Sequence, residues 1–581
     1  MKGFFSTFFA VLAALLVLPL LLLFGLGSLV SSFEPEAPIV EEGTILVLNL
    51  DENITDSPRM PALAQGGSLM EMEFVQTLTM LDVIETLDAA ATDDRIVALY
   101  INPTGAGSIS TTAHIEEIRS LLLDFKERSG KPIIAYNEVY SQATYWLASV
   151  ADKLYMNPQG ELNWRGLASQ SLFFKGALDK LGVDVQIVRH GTYKSAVEPY
   201  MLTKMSPTNR RQTEAMVESL WSCLVGDIAT SRSLSPELVD SYAACLAIDS
   251  PKSALSLGMV DGLKYNDEVE AELAALSGGK QAKKVTLGEY HSTLAPNKIS
   301  PNKVAVIYAD GDIVDGVGGE GIIGSTTTAD QIRRAREDEG VKAVVLRVNS
   351  PGGSALASDV MWRELKLLGE EKPLVVSMAG YAASGGYYIS APADHIISGR
   401  TTLTGSIGVF GVIISGGDVL EDKLGVTVDV TKTSPHADMG TGFRALTPYE
   451  MNYMQRSVED VYGVFVDRVS EGRGMTHEAV NTIGEGRVWC GLDAKKIGLV
   501  DDFGGLKEAL IVAAEKAELG DNWRITEILE EEDELTAMLN TLMGVKAPRL
   551  KGLAGSLESV ARTIEGGSSV QARMPYDITI Y

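Results

Sequence analysis

Residues 374–390 read LVVSMAGYAASGGYYIS, and the fold turns on how they are read. The run 374–377 is apolar and β-like. A string of small residues follows: Ala379, Gly380, Ala382, Ala383, Ser384, Gly385 and Gly386. The aromatic-apolar run 387–389 then reads as a helix. Strand, tight small-residue turn, helix is the setting of a nucleophile elbow. It puts Ser384 at a helix N-terminus, where free backbone N–H groups and the dipole favour developing negative charge. Ala382 stands where a G-x-S-x-G pattern has its first glycine, so the same residues also read as a plain Gly-Ser turn between a core strand and a core helix.

Moving outward from this stretch, the chain repeats itself. ILVLNL (45–50) resembles VAVIYA (304–309), and VALYIN (97–102) resembles VVLRVN (344–349). Each second run ends in a glycine-containing turn that leads into a helix-like stretch. GKPIIAY (130–136) matches EKPLVVS (371–377). LDKLGVDVQIV (178–188) matches EDKLGVTVDVT (421–431), and SLGMVDG (256–262) matches KIGLVDD (496–502). Strands alternating with helices predict α/β units around a largely parallel sheet. The expected organisation is an anchor and linker at 1–43, a first repeat at 44–275 and an interdomain connection at 276–301. A second repeat at 302–515 and a C-terminal extension at 516–581, read as a docking or oligomerisation segment, complete the chain.

Two copies of one domain share what the fold needs and differ where the chemistry is. Aligned on Ala151-Asp152 and Ala393-Asp394, Gln142 stands opposite Ser384; a one-residue slip would put Ser141 there instead. Aligned on Gly182 and Gly425, Lys194 stands opposite Ala437. The later copy thus supplies a serine and the earlier copy a lysine. A serine hydroxyl is inert until a base takes its proton. Lysine serves as that base when burial depresses its pKa, and a Ser-Lys pair is one variant of triad logic. Taken without the repeat, Lys194 reads as a surface lysine in a loop.

The bulk numbers exclude several classes. A net charge of −27 over 581 residues, with no basic patch, argues against a nucleic-acid partner. Cys223, Cys245 and Cys490 have neither metal-ligand nor redox spacing. None of the histidines forms H-E-x-x-H, and His395, opening a strand-like run, reads as structural. No metal or cofactor is expected. Residues 8–30 carry no charge, and as a helix they would reach about 34 Å, enough to cross a bilayer. Lys2 precedes that run, while Glu34, Glu36, Glu41 and Glu42 follow it. This bias predicts a retained single-pass anchor in the lipid bilayer, with the rest of the chain on the far side from the cytoplasm; a cleaved signal peptide is the alternative.

Four motifs in order, GTYKSAVEPY (191–200), NSPGGS (349–354), GYAASGGYY (380–388) and LTGSIGVFG (403–411), resemble the signal peptide peptidase A (protease IV) family in its long tandem-repeat form. The resemblance runs from the anchor to about residue 510. It implies two tandem Clp-protease/crotonase-like repeats, Ser384 as nucleophile and Lys194 as general base. It also implies Gly353 and the Gly385 N–H as oxyanion donors, and Ser406 as a hydrogen-bonding orienter of the lysine. No cofactor is implied. A ring- or bowl-shaped homo-oligomer, with a tetramer favoured, is implied, as is a location on the outer face of a bacterial inner membrane. The expected activity is acyl-enzyme hydrolysis of remnant signal peptides and other short apolar peptides. A crotonase-like acyl-CoA enzyme and a non-catalytic membrane scaffold are the rival expectations.

Overall fold

The computed structural model describes residues 38–49, 53–58, 77–102, 111–295, 299–319, 321–530 and 571–573. The predicted span at 8–30 lies outside the described residues. Among those described, no helix is long and apolar enough to cross a membrane.

Two similar α/β units follow each other. The first is a parallel sheet ordered Gly262–Leu263, Lys153–Leu162, Ile133–Tyr140, Ile96–Asn102, Thr44–Asn49 and Lys283–Thr286. The second runs Val488–Cys490, Leu403–Gly405, Leu374–Ala383, Val341–Ser350, Lys303–Asp310 and Arg524–Glu527. The central strands matched between the copies take equivalent places, whereas 421–431, the match of 178–188, forms no strand. Ile96–Asn102 and Val341–Ser350 each lie between the preceding and the following strand of their own sheet. Central strands of such a sheet are covered on both faces and so read as unbroken apolar runs; nearly every residue of Val341–Ser350 and Leu374–Ala383 is buried. Residues 283–286, within the expected connection, close the edge of the first sheet. Residues 524–527, within the expected extension, do the same in the second.

A third sheet positions the site. Its order is Ile322–Gly324, Asp312–Val314, Gly352–Ser354, Gln571–Arg573, Val409–Ser415 and Asp184–His190. The last of these belongs to the first repeat. It pairs antiparallel with Val409–Ser415 of the second, from Val409 opposite His190 to Ser415 opposite Asp184. This pairing carries the chain after His190, and so Lys194, into the second repeat.

The repeats also meet through buried charge. Arg347 is 1% exposed. It pairs with Asp56 at 2.7 Å and Glu117 at 2.6 Å, and donates to Ser377 Oγ at 2.8 Å. Asp56 in turn lies 2.7 Å from His114 Nε2. Nearby, Arg400 pairs with Glu116 at 2.6 Å and with Asp227 at 2.8 Å. Charges leave water at such a junction only when each finds a partner.

Candidate active site

The strand Leu374–Ala383 ends at the predicted elbow, and the helix Gly385–Ser390 starts directly after Ser384. Ser384 has φ 56° and ψ −113°, a conformation that side-chain-bearing residues rarely adopt. Its N–H donates to Gly405 O at 2.8 Å, and its carbonyl accepts from Tyr388 N at 2.8 Å. These bonds hold the strained turn. Gly386 packs on the Ser350 carbonyl, where an added Cβ would lie only 2.6 Å away, so a side chain there would force the helix off the sheet. The first N–H groups of a helix have no partner within it; those of Gly385 and Gly386 stand beside the serine.

Lys194 approaches from the first repeat. Its Nζ lies 2.8 Å from Ser384 Oγ, 3.0 Å from Ser406 Oγ and 3.2 Å from Ser406 O. Lys194, Ser384 and Ser406 each show 0% exposure. Burial holds the Lys194 amine well below its ordinary range, since a charged ammonium loses its hydration there. Among the described residues no carboxylate pairs with it; its neighbours are hydroxyls, carbonyls and the Phe410 ring, 5.9 Å away. Ser384 Oγ also lies 3.4 Å from Gly408 O.

The structure thus brings together Ser384, Lys194, Ser406 and the first turn containing Gly385. Gly353 sits in the neighbouring strand Gly352–Ser354, pressed against Ile313, where a Cβ would collide with the Ile313 carbonyl. Gly352 N donates to Ser350 Oγ at 3.1 Å, which ties that strand to the residue under Gly386. Ser141, the alternative in the first copy, has φ −70° and N-caps the helix Gln142–Ala148, accepting from Thr144 N at 3.2 Å. It is a capping serine in relaxed backbone. Gln142 is occupied in bonds with Arg165 N, Gly166 N and Gly166 O. His395, in the strand His395–Ser398 that lies between Leu374–Ala383 and Asp502–Phe503, pairs with Asp502 at 3.1 Å.

Sequence reasoning missed the segment that seats the lysine. Tyr193 N donates to Glu485 O at 2.9 Å, Gly486 N to Ile407 O at 2.6 Å, and Ser406 N to Arg487 O at 2.7 Å. Gly486 has φ 79°, and a Cβ there would lie 2.6 Å from Lys194 Cβ. Only glycine combines that φ with so close an approach. The two glycines of GEGR (484–487) signalled a turn, but nothing in the pattern linked that turn to residue 194. Gly486→Ala is expected to displace the lysine and lower kcat by roughly 10- to 100-fold, with a stability loss of about 1–3 kcal/mol. Unchanged kcat in a purified, folded Gly486→Ala protein would show that the seat is not needed.

A strained serine on an elbow, a desolvated lysine against its hydroxyl and helix N–H groups alongside define a serine peptidase. Comparison with known proteins agrees. The model for peptidase family S49 matches twice, over residues 126–280 and 366–520. The chain is 37% identical to Protease 4 of Salmonella typhi, covering 86% of this chain and 82% of that one. It is 35% identical to Protease 4 of Haemophilus influenzae, over 84% and 82%. It is 31% identical to the chloroplastic serine protease SPPA of Arabidopsis thaliana, over 92% and 78%. The chain belongs to peptidase family S49, with the family's domain present in tandem.

Proposed function

We propose that this protein hydrolyses short apolar peptides, remnant signal peptides among them, through a Ser384–Lys194 dyad and an acyl-enzyme. The observation that carries the reading is the 2.8 Å approach of two fully buried groups from different repeats. With the amine neutral, the Ser384 hydroxyl donates to Nζ. The amine keeps its place by donating to Ser406, which orients it. Ser384 attacks the scissile carbonyl while Lys194 takes its proton, then passes it to the leaving amine. Gly385 N–H and Gly353 N–H stabilise the oxyanion. Water then repeats the sequence on the ester. A dyad of this kind needs no metal or cofactor.

The same reading includes a bilayer anchor at 8–30, with both repeats on the outer face of a bacterial inner membrane. The charge bias around that run and the bacterial relatives support it. It also includes a homo-oligomer, with a tetramer favoured. Val426, Val428 and Val430 are 45–48% exposed, whereas Val185 and Ile187, the counterparts of the latter two in the first copy, lie in the strand paired with Val409–Ser415. A second chain offers the missing partner.

The pH profile tests the mechanism. Lys194 acts only when unprotonated, so kcat/KM is expected to rise with pH on a single limb, with its midpoint well below the ordinary lysine pKa of about 10.5. A profile still climbing steeply at the ordinary lysine pKa would mean that the lysine is not desolvated in the working enzyme.

A further inference from the structure

The helix Pro207–Arg232 belongs to the first repeat, yet one face of it packs on the second. Met216 and Leu220 lie among Leu403, Val488, Cys490 and Ala383, the last being the residue before Ser384. One turn earlier on that face stands Gln212, 2% exposed. A buried amide is costly unless it is hydrogen-bonded, and Gln212 is bonded at both of its ends. Its Nε2 donates to Ser195 Oγ at 3.0 Å and to Tyr193 O at 3.3 Å, while its Oε1 accepts from Val488 N at 2.9 Å. The partners fix which end is which, because a carbonyl only accepts and a peptide N–H only donates. A glutamine meets both demands at one position.

These bonds reach each member of the site in one further step. Tyr193 and Ser195 flank Lys194, so the amide grips the chain on both sides of the base. Val488 follows Arg487, whose carbonyl accepts from Ser406 N at 2.7 Å. Val488 also lies opposite Gly405, whose carbonyl accepts from Ser384 N at 2.8 Å. The lysine's own backbone bonds are long by comparison: its N–H reaches Gly191 O at 3.3 Å, and its carbonyl accepts from Arg189 Nη1 at 3.3 Å. The firmer hold comes from the neighbours, and through Gln212 from a 26-residue helix. Sites borne on rigid elements keep their geometry better than sites borne on loops.

We propose that Gln212 is a positioning residue for catalysis: it brackets Lys194, ties it to the segments that hold Ser406 and Ser384, and so sets the amine on the serine hydroxyl across the junction between repeats. The proposal deepens the Ser384–Lys194 reading and rests on it. Gln212 touches no reacting atom among the described residues, so it acts through the placement of the base. A displacement of about 1 Å between reacting groups costs on the order of 100-fold in rate. Loss of the amide frees the lysine segment to shift and lets water reach the amine, and a hydrated amine favours its charged form.

The test uses the full-length chain and a short apolar fluorogenic peptide. Gln212→Met keeps the length of the side chain and removes its hydrogen bonds. It is expected to lower kcat roughly 10- to 100-fold with KM within about threefold of the parent's. The midpoint of its kcat/KM pH profile is expected to move upward, toward the ordinary lysine value. Ser195→Ala removes a single bond to the amide and is expected to lower kcat roughly three- to tenfold in the same pattern. A merely structural glutamine would change the melting temperature and leave the pH midpoint where it is. Folded Gln212→Met with kcat within about twofold of the parent's, or with an unshifted midpoint, would overturn the proposal. If that variant does not fold, the same two criteria are applied to Ser195→Ala. The dyad reading fails separately, by hydrolysis that survives Ser384→Ala, whatever the Gln212 variants show.

Discussion

Ser384→Ala is expected to lower kcat/KM on a short apolar peptide by roughly 10⁴- to 10⁶-fold, and Lys194→Met by a similar factor, because nucleophile and base act as one unit. For the same reason the double variant should be little worse than either single one. Stability should move the other way at Lys194. In the unfolded chain at pH 7 its amine is protonated, whereas in the folded chain burial favours the neutral form. Folding must then release a proton. The unfolded state binds more protons across the window below about 10.5, so stability falls as pH drops through that window toward the folded pKa. Methionine fills the same buried space without that cost, and the Lys194→Met melting temperature should match or exceed the parent's. Peptide hydrolysis and calorimetry on the same preparations decide the matter. Turnover by Ser384→Ala within tenfold of the parent, or a Lys194→Met protein that melts well below it, would remove the dyad.

The second large effect lies at the junction. Arg347→Ala leaves Asp56 and Glu117 as buried carboxylates facing each other without their shared cation. Such a loss costs about 3–5 kcal/mol, which should appear as a clear fall in the urea midpoint. Arg347→Lys should recover only part of it, since an ammonium cannot fork between two carboxylates. The junction also carries a pH dependence. Burial disfavours a charged His114, but Asp56 at 2.7 Å and, more weakly, Glu117 outweigh that, and the net direction of its pKa is upward. A raised folded pKa stabilises below about pH 6.5 and the gain is lost as pH rises through the folded value. Arg347→Ala should strengthen that trend, because the guanidinium opposes a charged His114 and its loss leaves Asp56 to pair with the imidazole alone. A loss below about 1 kcal/mol would mean that the pocket relaxes or admits water around both carboxylates.

How much of this was legible depends on whether the information is local. The elbow at 374–390 could be read because strand, small-residue turn and helix differ in local period and residue size. Lys194 could be found because the duplication supplies an internal control: positions 142 and 437 show what the other copy carries opposite Ser384 and Lys194. The strain at Ser384, by contrast, was only implied by the elbow pattern; the φ of 56° depends on the bonds to Gly405 and Tyr388. Gly486, the Arg347 cluster and the strand at 571–573 left no usable trace, because each acts through a partner distant in the chain.

By itself, the sequence determined the tandem α/β architecture and pointed to the serine and the lysine proposed to share the chemistry, since strand and helix periods and a duplicated pattern are properties of neighbouring residues. The tertiary structure decided that the lysine reaches the serine within one chain. It did so because the strand Asp184–His190 crosses from the first repeat to pair with Val409–Ser415 of the second. Burial then decided that the amine favours its neutral form, since only the packed interior strips it of water.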